Sequence, residues 1–139
     1  MSLHDGPSEH LTWKELACKN GVEYPKEWRR TRGIELAELF EFIRKEVGDK
    51  PIPILSAYRT AEYNKAVGGA RNSMHIQGRA LDLRPPRGMA VGELYLIIHN
   101  WAKVIHIGGL GRYKTFVHVD TRPGNLLVTW NGSGVMERA

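Results

Sequence analysis

The sequence predicts a single α+β domain, a small antiparallel sheet with helices packed on it. Three observations carry that expectation. Apolar residues recur at helical spacing in the first third of the chain, whereas short alternating runs with one inserted helix fill the second half. The 139 residues are 42% hydrophobic and 25% charged, enough for one real core. No internal repeat or low-complexity linker divides the chain, so residues 1–139 are expected to form one unit, with 1–10 as a flexible lead.

The elements follow in order. "TWKE", Thr12 to Glu15, fits a capping box that opens a helical segment, and Gly21 fits its stop. Cys18 falls in that segment. As the one cysteine it forms no internal disulfide and excludes every cysteine-rich zinc pattern, so a small buried apolar role is expected. From Pro25 to Val47 the residues Ile34, Ala37, Phe40, Ile43 and Val47 mark a helix that Gly48 ends. The basic cluster "KEWRRTR" within it reads as a solvated face. "IPILSAY" reads as a strand, and Thr60 caps a short helix, "AEYNKAV", that stops at Gly68-Gly69.

A loop, "GGARNSMHIQG", leads into a strand, "RALDLRP". "VGELYLIIHNWAKV" reads as a helix with Leu94, Ile98 and Trp101 on one stripe. "IHIGGLGRY" and "TFVHVDTR" are strand-like and close enough to form a hairpin near Tyr113-Lys114. "LLVTWNGSG" offers one more strand and a turn.

Net charge is +5 and the pI is near 9.5, which suits an anionic partner. The basic residues are scattered, however, and lack the interleaved aromatics of a single-strand platform, so no nucleic-acid partner is expected. No apolar run reaches the roughly 18–20 residues of a transmembrane helix, and the N-terminus carries no secretory pattern.

The chemistry lies in "NSMHIQGRALDL" and "TFVHVDTR". An aspartate inside the apolar run "ALDL" is costly to bury unless something satisfies it. The period of two puts Asp82 on one strand face with Ala80, and Leu81 with Leu83 on the other. By the same rule Phe116, His118 and Asp120 share a face, and Val117 and Val119 point into a core. Gly78 supplies a bend that swings His75 back over Asp82. His75, Asp82, His118 and Asp120 are therefore the candidate metal residues. Two histidines and a carboxylate make a catalytic zinc set with one open position, although ligand softness also admits Fe(II), Co(II), Mn(II) or Ni(II). His4, His10, His99 and His106 are expected outside any site.

Three blocks, "SAYRT", "NKAVGGARNSMHIQGRALDL" and "GLGRYKTFVHVDTR", resemble the M15 family of zinc peptidases. The likeness is to its small bacterial and phage branch, related to D-Ala-D-Ala carboxypeptidases and murein endopeptidases. The signature Ser-x-His-x-x-Gly-x-Ala-x-Asp followed by a later His stands here as Ser73, His75, Gly78, Ala80, Asp82 and His118. The resemblance implies a hedgehog-like, D,D-peptidase-like scaffold whose sheet carries one Zn2+ per chain, bound by His75, Asp82 and His118. It implies metal-assisted hydrolysis of amide bonds in peptidoglycan peptides, by a D,D- or L,D-specific carboxypeptidase or endopeptidase acting at the bacterial cell wall. Arg59 would project its guanidinium toward the site, to hold a substrate carboxylate or the developing oxyanion. Ser73 would support the loop by hydrogen bonding, and Tyr113 is the nearby phenol that could donate to substrate.

The sequence departs from the family at one point. Thr115 and Phe116 stand where many members carry a Glu or a His, and neither can act as a base. Asp120 is the carboxylate offered in its place, with orientation of His118 as its alternative role. The same departure supports a different reading, a non-catalytic zinc-stabilised binding module on this scaffold.

Overall fold

The computed structural model describes residues 5–132. Among the described residues four α-helices and five strands follow in order: α1 (Trp13–Leu16), a 3-10 turn (Lys26–Trp28), α2 (Arg32–Glu46), β1 (Ile54–Ser56), α3 (Ala61–Ala66), β2 (Ala80–Leu83), α4 (Val91–Trp101), β3 (Gly109–Arg112), β4 (Val117–Asp120) and β5 (Val128–Asn131). The fold is α+β, as the alternating and helical patterns predict.

Helices α1 and α3 begin at side-chain caps. At α1 the Thr12 hydroxyl accepts from the Glu15 amide, and the Glu15 carboxylate returns a bond to the Thr12 amide, which satisfies two otherwise orphaned donors. The Thr60 hydroxyl caps α3 by accepting from the Tyr63 amide. Helix α2 ends at Gly48, whose φ of +82° suits a residue without a Cβ.

Two helical expectations need correction. α1 is a single turn, and Cys18 lies beyond it, buried, with its amide bonded to the Val22 carbonyl. The long helix expected from Pro25 begins only at Arg32. Before it Trp28 turns inward, its ring edge-on to Tyr24 and Tyr58. The basic cluster is correspondingly not all solvated, since Arg29 lies over Trp13 and Arg32 over Trp28, at 4.7 and 4.2 Å from the ring centroids.

The strands pair in the order β1-β2-β4-β3-β5. The first three pairings are antiparallel, and β5 adds parallel to β3. The sheet is thus mixed rather than wholly antiparallel. The segment after β4 crosses back to the far side of β3, so β5 runs in β3's direction. The turn expected after β5 lies partly outside the described residues. The hairpin at Tyr113-Lys114 joins β3 to β4 as expected, but β3 starts only at Gly109, leaving His106 in a turn and not in a strand.

One sheet face is apolar. Leu81, Leu83, Leu110, Val117 and Val119 are wholly buried there, in one cluster with Leu36, Phe40 and Ile43 of α2 and Leu94 and Ile98 of α4. Trp101 of the expected α4 stripe is instead part-exposed and meets Phe42 edge-on. Ser8 and His10 of the lead reach helix α2. Glu41 of α2 accepts from the Ser8 hydroxyl and the His10 amide, and His10 Nδ1 lies 2.7 Å from its carboxylate. His4 lies outside the described residues.

Candidate metal centre

The other sheet face carries the chemistry, and strand register assembles it. Ser56 pairs with Asp82, Asp82 with His118, His118 with Gly111, and Gly111 with Trp130. A single row across all five strands therefore reads Ser, Asp, His, Gly, Trp. Side chains directly opposite one another on a sheet stand close enough to interact. Asp82 and His118 are such a pair, and the absence of a side chain at Gly111 lets the Trp130 ring reach His118, at 5.2 Å between ring centroids. A Cβ at Gly111 would overlap the Trp130 indole.

His75 arrives from a loop. Gly78 adopts φ +67°, and a Cβ there would strike the Trp28 ring. The buried Tyr24 hydroxyl donates to the Gly78 carbonyl at 2.7 Å and fixes the bend. Burial pushes the Tyr24 phenol above its ordinary range, which keeps that donor protonated. The Ser73 hydroxyl accepts from the His75 amide at 3.1 Å, and the Arg59 amide donates to the His75 carbonyl.

Three ligand atoms then converge. His75 Nε2 lies 3.1 Å and His118 Nδ1 3.0 Å from the same oxygen, Asp82 Oδ1. All three side chains are buried. The outer nitrogens decide the tautomers. His75 Nδ1 lies 2.6 Å from the Ala57 carbonyl, which can only accept, so Nδ1 carries hydrogen and Nε2 faces inward with its lone pair. His118 Nε2 lies 2.8 Å from Asp120 Oδ2, so in the neutral ring its Nδ1 faces inward. Two imidazole lone pairs aimed at one carboxylate oxygen need positive charge between them, supplied by a proton or by a cation.

The donor set fits zinc. Zn–N distances of about 2.0–2.1 Å in a tetrahedron separate ligand atoms by roughly 3.3 Å. The observed 3.0 and 3.1 Å lie just inside that value.

Charges around the centre are strongly coupled. Burial opposes ionisation of Asp82, but the His75 and His118 imidazoles against it outweigh that and hold the carboxyl far below its usual range. Burial would likewise lower His118, yet its hydrogen bonds to Asp120 and Asp82, and their charges, push it up to about 9. Asp120 sits behind His118. Arg122 donates from Nε to its Oδ1 at 2.9 Å and from Nη2 to its Oδ2 at 2.7 Å, and the Arg122 amide adds a third bond to Oδ1. Against burial, these bonds and the one to His118 hold Asp120 far below the usual carboxylate range.

Arg59 flanks the centre, nearly buried. Its Nη2 lies 3.5 Å from Asp82 Oδ2, while Nε donates to the Ser56 hydroxyl. A cleft of about 210 Å³ opens here, lined by Arg59, Asp82, Phe116, Tyr63 and Lys19. A larger groove of about 570 Å³, lined by Trp13, Tyr24 and Arg29, shares Lys19 with it but holds none of the three converging residues.

Tyr113 is buried and stacked on Phe116, and its hydroxyl accepts from Trp130 Nε1 at 2.7 Å. It therefore meets the site through Trp130, which lies against His118. His99 stacks on Tyr95 and His106 lines a separate cleft with Glu35 and Glu38.

Sequence reasoning missed Arg122, Trp130 and the strand glycines Gly109 and Gly111, where a Cβ would overlap Asp120 and Trp130. Arg122 was within reach, because "HVDTR" continues the alternation of His118 and Asp120 by one more step. Trp130 and the glycines carry no local signal, since their roles depend on register.

The model of the family Peptidase M15 matches residues 9–120. A probable peptidoglycan L,D-endopeptidase, MepK, of Haemophilus influenzae is 35% identical over 88 residues, covering 58% of this chain and 43% of that protein. A zinc D-Ala-D-Ala carboxypeptidase of Streptomyces albus G is 46% identical over 41 residues, covering 30% of this chain and 16% of that one. The chain thus spans less than half the length of either relative. With the family match covering most of the chain, and a buried His-Asp-His cluster where its ligands are expected, the chain belongs to the peptidase M15 family.

Proposed function

We propose that this protein hydrolyses amide bonds in the peptide part of peptidoglycan, using one zinc ion held by His75, Asp82 and His118. The observation that carries the reading is the convergence of the two inward imidazole nitrogens on Asp82 Oδ1, each ring set from behind by an acceptor. The names of the two relatives support the substrate class.

When bound, the cation supplies Lewis acidity toward water and toward the scissile carbonyl. The remaining work belongs to the chain. Arg59 binds a substrate carboxylate or the developing oxyanion in the cleft beside Asp82. Ser73 holds the His75 loop. Tyr113 keeps Trp130 seated over His118, and its ring stacks on Phe116, which lines the cleft. Asp120 acts through His118, because its two oxygens already accept four hydrogen bonds from Arg122 and His118, which suits an orienting carboxylate better than a proton acceptor.

That last point favours a second reading, a zinc-stabilised wall-binding module without turnover. One experiment separates them. Purified peptidoglycan is digested with zinc-loaded protein, with chelated protein and with protein reloaded after chelation, and the products are weighed by mass spectrometry. Zinc-dependent release of peptide fragments supports the peptidase and identifies the bond. Sedimentation with peptidoglycan without any release supports the binding module.

A further inference from the structure

We infer that Asn64 is a positioning residue whose side-chain amide sets the pose of Arg59 and couples it to the loop carrying His75. The inference rests on the reading of Arg59 as the substrate-binding arginine.

Asparagine is an indifferent helix former, and α3 is only six residues long. Yet Asn64 is turned inward and is only 3% exposed. A buried amide persists where both its ends are satisfied. Here Oδ1 accepts from Arg59 Nη1 at 3.1 Å, and Nδ2 donates to the Ala70 carbonyl at 2.8 Å.

The first bond completes the restraint of the guanidinium. Nε is held by Ser56, Nη2 faces Asp82, and Nη1 is held by Asn64. Contacts at all three nitrogens fix the plane of the fork. Of its five N–H donors, one on Nη1 and one on Nη2 then remain for a ligand in the cleft. Without Asn64 the group is held along one edge only and can swing.

The second bond reaches the loop. The Ala70 carbonyl also accepts from the Ser73 amide, the Ser73 hydroxyl accepts from the His75 amide, and the His75 carbonyl accepts from the Arg59 amide. These bonds form a closed ring through Arg59, Asn64, Ala70, Ser73 and His75. The loop backbone passes directly over the junction, for a Cβ at Gly69 would overlap Asn64 Oδ1 and lie 2.8 Å from Arg59 Nη1. A substrate arginine and a metal-binding histidine are thereby held in one frame.

The test is a mutant cycle of Asn64→Ala with Arg59→Lys, read by kcat/KM on a short stem peptide, by its Kd, and by zinc content. Asn64→Asp is carried alongside, because it keeps the acceptor for Nη1 in the same shape if Asn64→Ala does not fold. Asn64→Ala is expected to lose on the order of tenfold to a hundredfold in kcat/KM, the scale of a misplaced catalytic group, with zinc content unchanged. Asn64→Asp keeps the acceptor for Nη1 but cannot donate to the Ala70 carbonyl, so it should recover only the part of the loss that comes from Arg59. In the Arg59→Lys background, where the planar fork is already gone, Asn64→Ala should change the rate little. Equal losses from Asn64→Ala in both backgrounds, no loss at all, or a loss that tracks zinc content would overturn the inference. If Arg59→Lys itself keeps full kcat/KM, the reading of Arg59 falls and this inference with it.

Discussion

Nε2 of His118 lies 2.8 Å from Oδ2 of Asp120, two residues further along the same strand. On the proposed reading Asp120 orients His118 through this contact, which sets what replacing it should do. Asp120→Asn keeps an acceptor for one partner but loses the charge that Arg122 grips. The variant should bind zinc about tenfold to a hundredfold more weakly, the usual cost of losing a group that orients a ligand. Its melting temperature should fall, while turnover at saturating zinc stays near the parent value. Normal zinc affinity with a rate lowered on the order of a hundredfold would return Asp120 to the role of general base.

Metal analysis of protein purified without chelator should give about one zinc per chain, since three protein ligands complete one such site. His75→Ala removes a ligand and should abolish stoichiometric binding. A His75→Ala protein with full metal and full activity would remove the proposed centre.

In metal-free protein His118 is pushed up to about 9 from an ordinary 6.5. It therefore carries an extra proton at pH 7, shared with Asp82, and zinc must displace it. Calorimetry in buffers of different ionisation enthalpy should show about one proton released per zinc bound at pH 7. The sign for stability follows from linkage. A raised folded-state value stabilises fully below pH 6.5, and the contribution is lost as pH rises through about 9. Chelated protein should lose melting temperature across that window, and His118→Gln should not show this component.

Arg59→Lys keeps the charge but loses the planar two-pronged donor. Most activity should disappear while zinc content and melting temperature hold, because Lys can still face Asp82 across the same gap. A fully active variant, or one that simply unfolds, would remove Arg59 from substrate binding.

Gly109 pairs with Asp120 in the sheet, and a Cβ there would overlap the Asp120 carboxylate and crowd Arg122 Nη2. That carboxylate is pinned and cannot yield cheaply. Gly109→Ala should cost about 1–3 kcal/mol, the range of overpacked sites, in denaturant unfolding of the zinc-free protein. A change within experimental error would show that the carboxylate can move aside.

Local signals in the sequence were reliable where a short period or a single cap sets the outcome. The capping box at Thr12, the N-cap at Thr60, the stop at Gly48, and the alternation that puts Asp82 and His118 on faces opposite Leu81 and Val117 depend only on neighbours a few residues away. The bend at Gly78 was legible from the glycine itself, but it is closed by distant residues, since a Cβ there would strike the Trp28 ring and the Tyr24 hydroxyl holds its carbonyl. Partnership across the sheet was decided by tertiary structure alone. That Gly111 faces His118, that Trp130 fills the space this leaves, and that β5 runs parallel to β3 all follow from register between distant segments. The helix expected from Pro25 begins only at Arg32, and ahead of it Trp28 packs edge-on to Tyr24 and Tyr58, a contact between distant segments. Asp120 shows the division most plainly. Its face was legible from the strand period, and its partners His118 and Arg122 lie only two residues to either side, but that both close on its oxygens is seen only in the folded strand. A carboxylate's chemistry is fixed by what its lone pairs already hold.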